Sequence, residues 1–111
     1  MRKQSIKVVL FYNKNGHVYG FDVANHGDAI ICAGVSALVI TCVNFIESRF
    51  KGELTLKYKT ADGHIAFEIA ELKQGKTHES ASLIIDSMVF GLAQIQSVHK
   101  KQIKIYTRKS D

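Results

Sequence analysis

The sequence predicts an α+β fold, a two-layer sandwich in which a mainly antiparallel sheet is packed by two helices. Two long segments carry apolar residues at helical spacing, and five shorter segments alternate apolar with polar residues. The turn sequences Asn13–Gly16 and Ala61–Gly63 each join two of the strand-like segments. The resulting order is ββαββαβ, and the 111 residues fit a single domain covering 1–111.

The first half of the chain is predicted to be a hairpin followed by a long helix. Strands are expected over Ser5–Tyr12 and His17–Ala24, because both are rich in β-branched and aromatic residues. A helix is expected over about Ala29–Phe50, with Asp28 as its N-cap and Gly52 just past its end. Its predicted apolar stripe consists of Ile31, Val35, Leu38, Val39, Cys42, Val43 and Ile46.

The second half repeats the pattern and adds a last strand. Alternation predicts strands over Glu53–Thr60 and His64–Glu71. Apolar residues then recur at helical spacing over Ala81–Val98, with Thr77 as a plausible cap. Gln102–Thr107 alternates again, so a fifth strand is expected to pair into the sheet.

The composition is that of a folded globular chain with a basic surface. Apolar residues make up 46% and charged residues 23%, while the formal net charge is +5 and the pI about 9.3. The sequence has no zinc-ligand spacing, no Gly-rich phosphate loop and no aromatic RNA-binding motif. We therefore expect solvated surface lysines and no direct nucleic-acid binding.

The amino terminus and the cysteines both indicate a cytoplasmic protein. The first residues lack the pattern of a signal peptide, and no stretch reaches about 18 consecutive apolar residues. The two cysteines, Cys32 and Cys42, are ten positions apart on the predicted first helix. That spacing corresponds to about 15 Å, too far for a disulfide, so both are expected to be free thiols.

The loop and helix start between Asn25 and Leu38 contain the chemically suggestive residues. Cys32 is expected in the first helical turn, where unpaired backbone N–H groups and the helix dipole favour a thiolate. His26, in the preceding loop, is placed to act as general base and then as general acid. Cys32 and His26 are therefore the candidate catalytic pair.

Neighbouring residues are candidates for support or for substrate binding. Asp28 could orient His26 or simply cap the helix, and Ser36 shares a helix face with Cys32. Three small residues could let a substrate backbone approach: Gly27, Ala33 and Gly34. From spacing alone, the alternative that Cys32 is a packed helix residue stays open, and Cys42 is expected in the core.

The segment Ile-Ile-Cys-Ala-Gly-Val-Ser-Ala-Leu, continuing through Val43–Asn44, resembles the ribosomal-processing cysteine proteases of the Prp, or YsxB-like, family. By position, the family's catalytic histidine falls on His26, its nucleophile on Cys32 and its helix serine on Ser36. The sequence departs from the family pattern before and after the histidine. Asn25 replaces a usual glycine that would favour a left-handed turn, Gly27 replaces alanine, and the loop to Cys32 is shorter.

The resemblance implies a cytoplasmic endopeptidase that removes the N-terminal extension of a large-subunit ribosomal protein. It also implies a homodimer without a metal or organic cofactor. Two other functions remain as alternatives: a catalytically inactive ribosome-associated binding module, and a basic RNA-binding domain.

Overall fold

A five-stranded mixed sheet forms one layer of the protein. The structure is a computed structural model that describes residues 5–109. The strands occur in the spatial order β3-β4-β2-β1-β5. The pairs β3/β4, β4/β2 and β2/β1 are antiparallel, and the pair β1/β5 is parallel. Their bounds are β1 Ile6–Tyr12, β2 Val18–Ala24, β3 Leu56–Ala61, β4 His64–Ile69 and β5 Ile103–Lys109.

Two long helices cover one face of this sheet, in the predicted two-layer arrangement. They are α1, Ala29–Phe50, and α3, Glu79–Val98, and a short helical turn, α2, Ala70–Lys73, lies between β4 and α3. The predicted ββαββαβ order is confirmed, with α2 as an addition. The apolar stripe of α1 is buried against the sheet as predicted, except that Leu38 is only half-buried.

The first hairpin turn is organised by the side chain of Asn13, which is fully buried. Its Oδ1 accepts the N–H groups of Asn15 at 2.8 Å and His17 at 3.0 Å, an Asx-type turn. Its Nδ2 donates to the Leu72 carbonyl at 2.8 Å. The same residue therefore closes the hairpin and ties it to α2.

The predicted bounds of the second hairpin were wrong at both outer ends. β3 begins at Leu56 because the chain first turns at the end of α1, where Gly52 has φ +85° and Phe50 O accepts the N–H groups of the turn. β4 ends at Ile69, and the next residues form α2, which buries Leu72. Period-two alternation cannot distinguish a strand end from a single helical turn.

The predicted cap and core of the second long helix also need correction. The N-cap of α3 is His78, whose Nδ1 accepts the N–H of Ala81 at 3.1 Å, and not Thr77. Leu83 and Val98 belong to the apolar residues that recur at helical spacing over this segment, but they are 71% and 74% exposed. They lie on the outer surface of the helical layer.

Both α1 and α3 are long and apolar enough to span a membrane, judged by length and composition alone. Counting consecutive apolar residues missed this property, because small and uncharged polar residues interrupt the run. In the fold, each helix turns one apolar stripe toward the sheet. About a third of the most apolar part of α1 is buried, and about a fifth of that of α3. Much of the apolar surface of these helices therefore faces outward.

Candidate active site

The loop between β2 and α1 begins with a left-handed residue. Asn25 has φ +75°, the left-handed conformation that its place in the family pattern implied. After Gly, Asn is among the residues that tolerate this conformation best. Its N–H donates to the Gly63 carbonyl in the β3–β4 turn at 2.9 Å. This bond directs the next residue, His26, toward that turn.

Cys32 lies in the first turn of α1 and is partly buried. Its Sγ accepts the backbone N–H of Gly27 at 3.1 Å, while its own N–H donates to the Asp28 carbonyl at 2.8 Å. The sequence led us to expect helix amides as the donors to sulfur. A loop amide takes this role, because helical side chains point back toward the N-terminus and bring Sγ beneath the loop.

The His26 ring lies between the loop and the β3–β4 turn, with 67% of its side chain exposed. Its Nε2 is 3.9 Å from Oδ1 of Asp62. Gly63 makes room for the ring, since a Cβ there would stand 2.7 Å from Nε2. Within residues 5–109, no hydrogen bond joins this ring to the Cys32 thiol.

Asp28 is the predicted N-cap of α1. Its Oδ1 accepts the N–H of Ile30 at 3.0 Å, which pairs one of the otherwise unbonded amides of the first turn. The cap therefore holds the start of the helix that carries Cys32. A role for Asp28 in orienting His26 stays a prediction.

Gln102, which contacts the loop between His26 and Cys32, was missed in the sequence analysis. Its Oε1 accepts the N–H of Asp28 at 3.2 Å, and its carbonyl accepts the N–H of Ile6 at 2.8 Å. It therefore joins the loop between His26 and Cys32 to the start of β5. No local signal could have revealed it, because Gln102 lies 74 positions after Asp28.

A small cavity of about 180 Å³ lies where α1 begins above the sheet. His26, Cys32 and Ser36 line it together, so the structure brings these three predicted residues to one site. Ala33 is exposed on α1. Gly34 faces the other long helix, since a Cβ there would stand 3.6 Å from Ile95 Cδ1, and it serves the packing of α1 on α3.

A second histidine also lines this cavity. His64, at the start of β4, has its Nε2 paired with Oδ1 of Asp22 on β2. Asp22 and His64 thus form a carboxylate–imidazole pair, of which only His64 lines the cavity. Within residues 5–109, no group of three or more His, Cys, Asp or Glu side chains is placed to hold a metal ion.

Cys42 contrasts with Cys32 in its surroundings. It is 4% exposed, and burial raises the pKa of its thiol from 9.0 to about 12. Both cysteines are free, as predicted, and the expected core position of Cys42 is confirmed. The two thiols therefore differ in their access to solvent, Cys32 being partly buried and Cys42 buried.

We predict that iodoacetamide at about pH 8 modifies Cys32 and leaves Cys42 unmodified until the protein unfolds. Peptide mass spectrometry after labelling measures the modification of each thiol. Equal labelling of both thiols in the folded protein would contradict this prediction.

The raised pKa of Cys42 predicts that the free energy of unfolding falls between pH 9 and 12, because the unfolded thiol ionises there while the folded thiol stays neutral. Denaturant titrations of wild type and Cys42→Ala across this pH range measure the effect. The same pH dependence in both proteins would contradict the prediction.

The sequence profile of the family described as "Cysteine protease Prp" matches residues 5–104. The chain belongs to this family. The match spans β1 to β4, the three helices and the first two residues of β5. The resemblance seen in the first helix therefore extends over nearly the whole domain.

Individual relatives agree with this assignment. The ribosomal processing cysteine protease Prp of Bacillus subtilis (strain 168) is 28% identical over 107 residues, which are 96% of this chain and 93% of the relative. The S. aureus protease Prp with a covalently linked product peptide superimposes with a TM-score of 0.81 at 24% identity, over 93% of this chain and 99% of that one. SMU.848 from Streptococcus mutans has a TM-score of 0.74 at 18% identity, over 96% of this chain and 97% of that one. The α+β sandwich is thus the fold of the Prp family.

Proposed function

We propose that the chain is a single-domain cysteine endopeptidase of the cytoplasm that removes the N-terminal extension of a large-subunit ribosomal protein. One observation carries the proposal: the Cys32 thiol, at the start of α1, accepts the Gly27 N–H and shares a cavity with the His26 imidazole. A nucleophile, an N–H donor for its anion and a titratable base are the parts that thiol catalysis needs. Membership of a cysteine protease family supports the same chemistry.

In the proposed mechanism, Cys32 attacks as the thiolate after His26 has accepted its proton. The sulfur forms a bond to the scissile carbonyl carbon, and the carbonyl electrons move to oxygen. Collapse of this adduct breaks the C–N bond, and the His26 imidazolium donates its proton to the leaving amine. Water, deprotonated by the same imidazole, then hydrolyses the thioester and restores the free thiol.

His26 must rotate to do this, since its ring lies beside Asp62 and Gly63. With most of its side chain exposed, the ring can change rotamer without disturbing the core. Substrate entering the cavity would exclude water and bring the proton transfer within reach. The two groups therefore form a dyad in the working complex and not in the free chain.

The proposed substrate follows from the family and its relatives. The Bacillus relative is named as a ribosomal processing protease, and the S. aureus relative has been solved with a substrate peptide and with a product peptide. An N-terminal extension is a flexible peptide that can reach a small open cavity. The test is to incubate the enzyme with a ribosomal precursor carrying the extension and to measure the product by mass spectrometry. Failure to cut this precursor, under conditions where the Bacillus enzyme cuts its own, would reject the substrate.

The outward position of His26 gives one reason to keep the inactive binding module as a second candidate. In such a module the thiol would react slowly and independently of the histidine. Alkylation kinetics of wild type and His26→Ala separate the two: rapid labelling that slows in the variant supports the enzyme, and equal rates support the module.

Gln102 supplies a test of how the loop is positioned. In Gln102→Ala, the Asp28 N–H loses its acceptor, and the neighbouring Gly27 N–H is held less well against Cys32. Loss of one such hydrogen bond, about 1 kcal/mol, should lower kcat/KM and the alkylation rate of Cys32 about fivefold. The matched control is Gln94→Ala, an exposed glutamine of α3. Equal rates in both variants would contradict a positioning role for Gln102.

The proposed homodimer has a suitable surface in the helical layer. Several large apolar side chains are exposed there, and residues 29–46 of α1 contain no charged residue. Two copies could place the uncharged faces of α1 together without repulsion between like charges. A groove of about 440 Å³ between the helices would receive side chains of the partner. The large exposed apolar residues of the two helices are Ile30, Ile40, Phe45, Leu83, Phe90 and Val98.

We predict that Phe45→Glu and Phe90→Glu convert the dimer to a monomer, since each places a charge in the apolar contact. Sedimentation equilibrium of the wild type and of both variants measures the change in dissociation constant. Tyr58→Glu, a similar substitution on an exposed aromatic residue of β3, is the control and should leave the dimer intact. A monomeric wild type, or a dimer that survives both helix substitutions, would reject this interface.

A further inference from the structure

The face of the sheet opposite the helices carries a regular pattern of basic, small and aromatic side chains. Val8 and Leu10 of β1 are buried beneath the helices, so the alternate residues of the strand point the other way. The pairing registers arrange the outward residues in three rows across all five strands, which we call the open sheet face. From β3 to β5, the first row is Ala61, His64, Ala24, Lys7 and Lys104; the second is Lys59, Ala66, Asp22, Val9 and Tyr106; the third is Lys57, Glu68, Gly20, Phe11 and Arg108.

Positive charge is concentrated on this open sheet face. Both carboxylates on this face have partners. Asp22 pairs with His64. Glu68 Oε1 lies 3.9 Å from Lys57 Nζ and 3.6 Å from Nζ of Lys73, a residue that lines the same surface. Within residues 5–109, no carboxylate lies within 4 Å of the other four cations. These four are Lys7, Lys59, Lys104 and Arg108.

Two aromatic rings lie among these cations, Phe11 on the inner strand β1 and Tyr106 on the edge strand β5. Phe11 is opposite Gly20 on the neighbouring strand. A Cβ at Gly20 would come within 2.6 Å of the Phe67 carbonyl oxygen, so this position beside the Phe11 ring must be glycine. Tyr106 is 50% exposed, and Lys7 Nζ lies 5.6 Å from its ring centroid. The rings are thus exposed or half-exposed and flanked by cations.

Two grooves meet at Phe11. One, of about 790 Å³, extends toward β3 and is lined by Lys57, Lys59 and Lys73. The other, of about 190 Å³, extends toward β5 and is lined by Lys7 and Arg108. An extended chain crossing the sheet would meet cations at both ends and an aromatic ring in the middle.

We propose that the open sheet face binds single-stranded RNA, with phosphates on the lysines and arginine of both edges and bases stacked on Phe11 and Tyr106. Cationic grooves combined with stacking platforms are the chemistry that single strands require. An acidic peptide would use the cations but would leave the rings without a planar partner. The choice of RNA over DNA rests on the proposed ribosomal substrate, since an enzyme acting on a ribosomal precursor works beside RNA.

This inference revises the expectation of dispersed, solvated lysines. The sequence separates Lys7, Lys57 and Lys104 by about fifty positions each, and only the strand order brings them onto one surface. The open sheet face also lies opposite the helical surface proposed for dimerisation. RNA binding and dimer formation therefore use different sides of the protein.

The first test measures binding of a fluorescently labelled oligouridine of about 12 nucleotides by anisotropy, from about 50 mM KCl upward. We expect affinity to fall steeply with salt, and the double variant Lys59→Glu/Lys104→Glu to bind at least about tenfold more weakly. Lys51→Glu/Lys100→Glu has the same net charge but alters exposed residues outside this face, so it should keep most of the affinity. The proposal would be overturned if the oligouridine did not bind at low salt, or if both double variants lost the same affinity for it.

The second test separates stacking from charge. Tyr106→Ala should weaken oligouridine binding about tenfold, whereas Phe90→Ala, which removes an exposed ring from the helical side of the protein, should not. A polyglutamate of equal length that binds as tightly as the RNA, or equal behaviour of Tyr106→Ala and Phe90→Ala, would reject RNA as the ligand. Cleavage of a short free peptide should be unchanged in Lys59→Glu/Lys104→Glu. Binding can be measured whether or not that peptide is cut, so a failure of the proposed protease function is seen separately.

Discussion

Replacing Cys32 with alanine is expected to abolish cleavage of the ribosomal precursor while leaving the fold intact. The variant loses the only group at this site that can form the thioester, so kcat/KM should fall on the order of 10⁴-fold or more. The cost to stability should be small, because Cys32 is only partly buried and packs at the margin of the core. Initial rates from mass spectrometry and thermal melts of both proteins provide the measurement.

The other cysteine offers a matched control. Cys42→Ala removes a thiol from the same helix, but from within the core, where it is 4% exposed. It should lower the free energy of unfolding by about 1 kcal/mol and retain activity per folded molecule. Substantial turnover by Cys32→Ala, or a larger loss of activity in Cys42→Ala, would show that the nucleophile has been misassigned.

Removal of the His26 imidazole has the second-largest expected effect. In His26→Ala, no imidazole from this loop can take the thiol proton or return one to the leaving amine, so kcat/KM should fall about 10²- to 10⁴-fold. The Gly27 N–H would still stabilise sulfur in the variant, which leaves some residual thiolate chemistry. Single-turnover rates, measured together with alkylation of Cys32, distinguish the loss of the acid from the loss of the nucleophile.

Two controls address whether the effect belongs to this histidine. His17→Ala removes an exposed imidazole at the start of β2, at the opposite end of the strand from His26, and should leave the rate unchanged. Asp62→Asn removes the carboxylate near His26, but that side chain is fully exposed, so the rate should change less than about threefold. If His26→Ala is as active as these controls, another group must transfer the proton. His64, which lines the same cavity, would be the first to replace.

The site depends on interactions of very different range along the chain. The Asp28 cap joins residues two positions apart, and cap rules predicted it. The Gly27–Cys32 contact spans five positions, but its donor is a loop amide that helix rules did not indicate. The contact between His26 and Gly63 joins residues 37 positions apart. The hydrogen bond from the Asp28 N–H to Gln102 joins residues 74 positions apart. Such contacts form only when strands from distant parts of the chain are paired.

The same distinction explains where the strand predictions failed. Alternation identified five strands, but the ends of β3 and β4 depend on how the chain leaves α1 and how Leu72 is buried. Similarly, apolar spacing in α3 did not show that Leu83 and Val98 face outward. Periodicity shows that a helix has an apolar side, whereas the area covered by the sheet decides how wide its buried part is.

By itself, the sequence determined the order of the elements, the hairpin turn at Asn13, the long helix with its cap, and the thiol at the start of that helix. These features are local, since backbone propensity, capping and hydrophobic period act over a few residues. The tertiary structure decided the parallel pairing of β5 with β1, the cavity shared by His26 and Cys32, the Gln102 contact and the grouping of cations on one face. These features require strand order and register, which are set by burial of the whole core and not by any single segment.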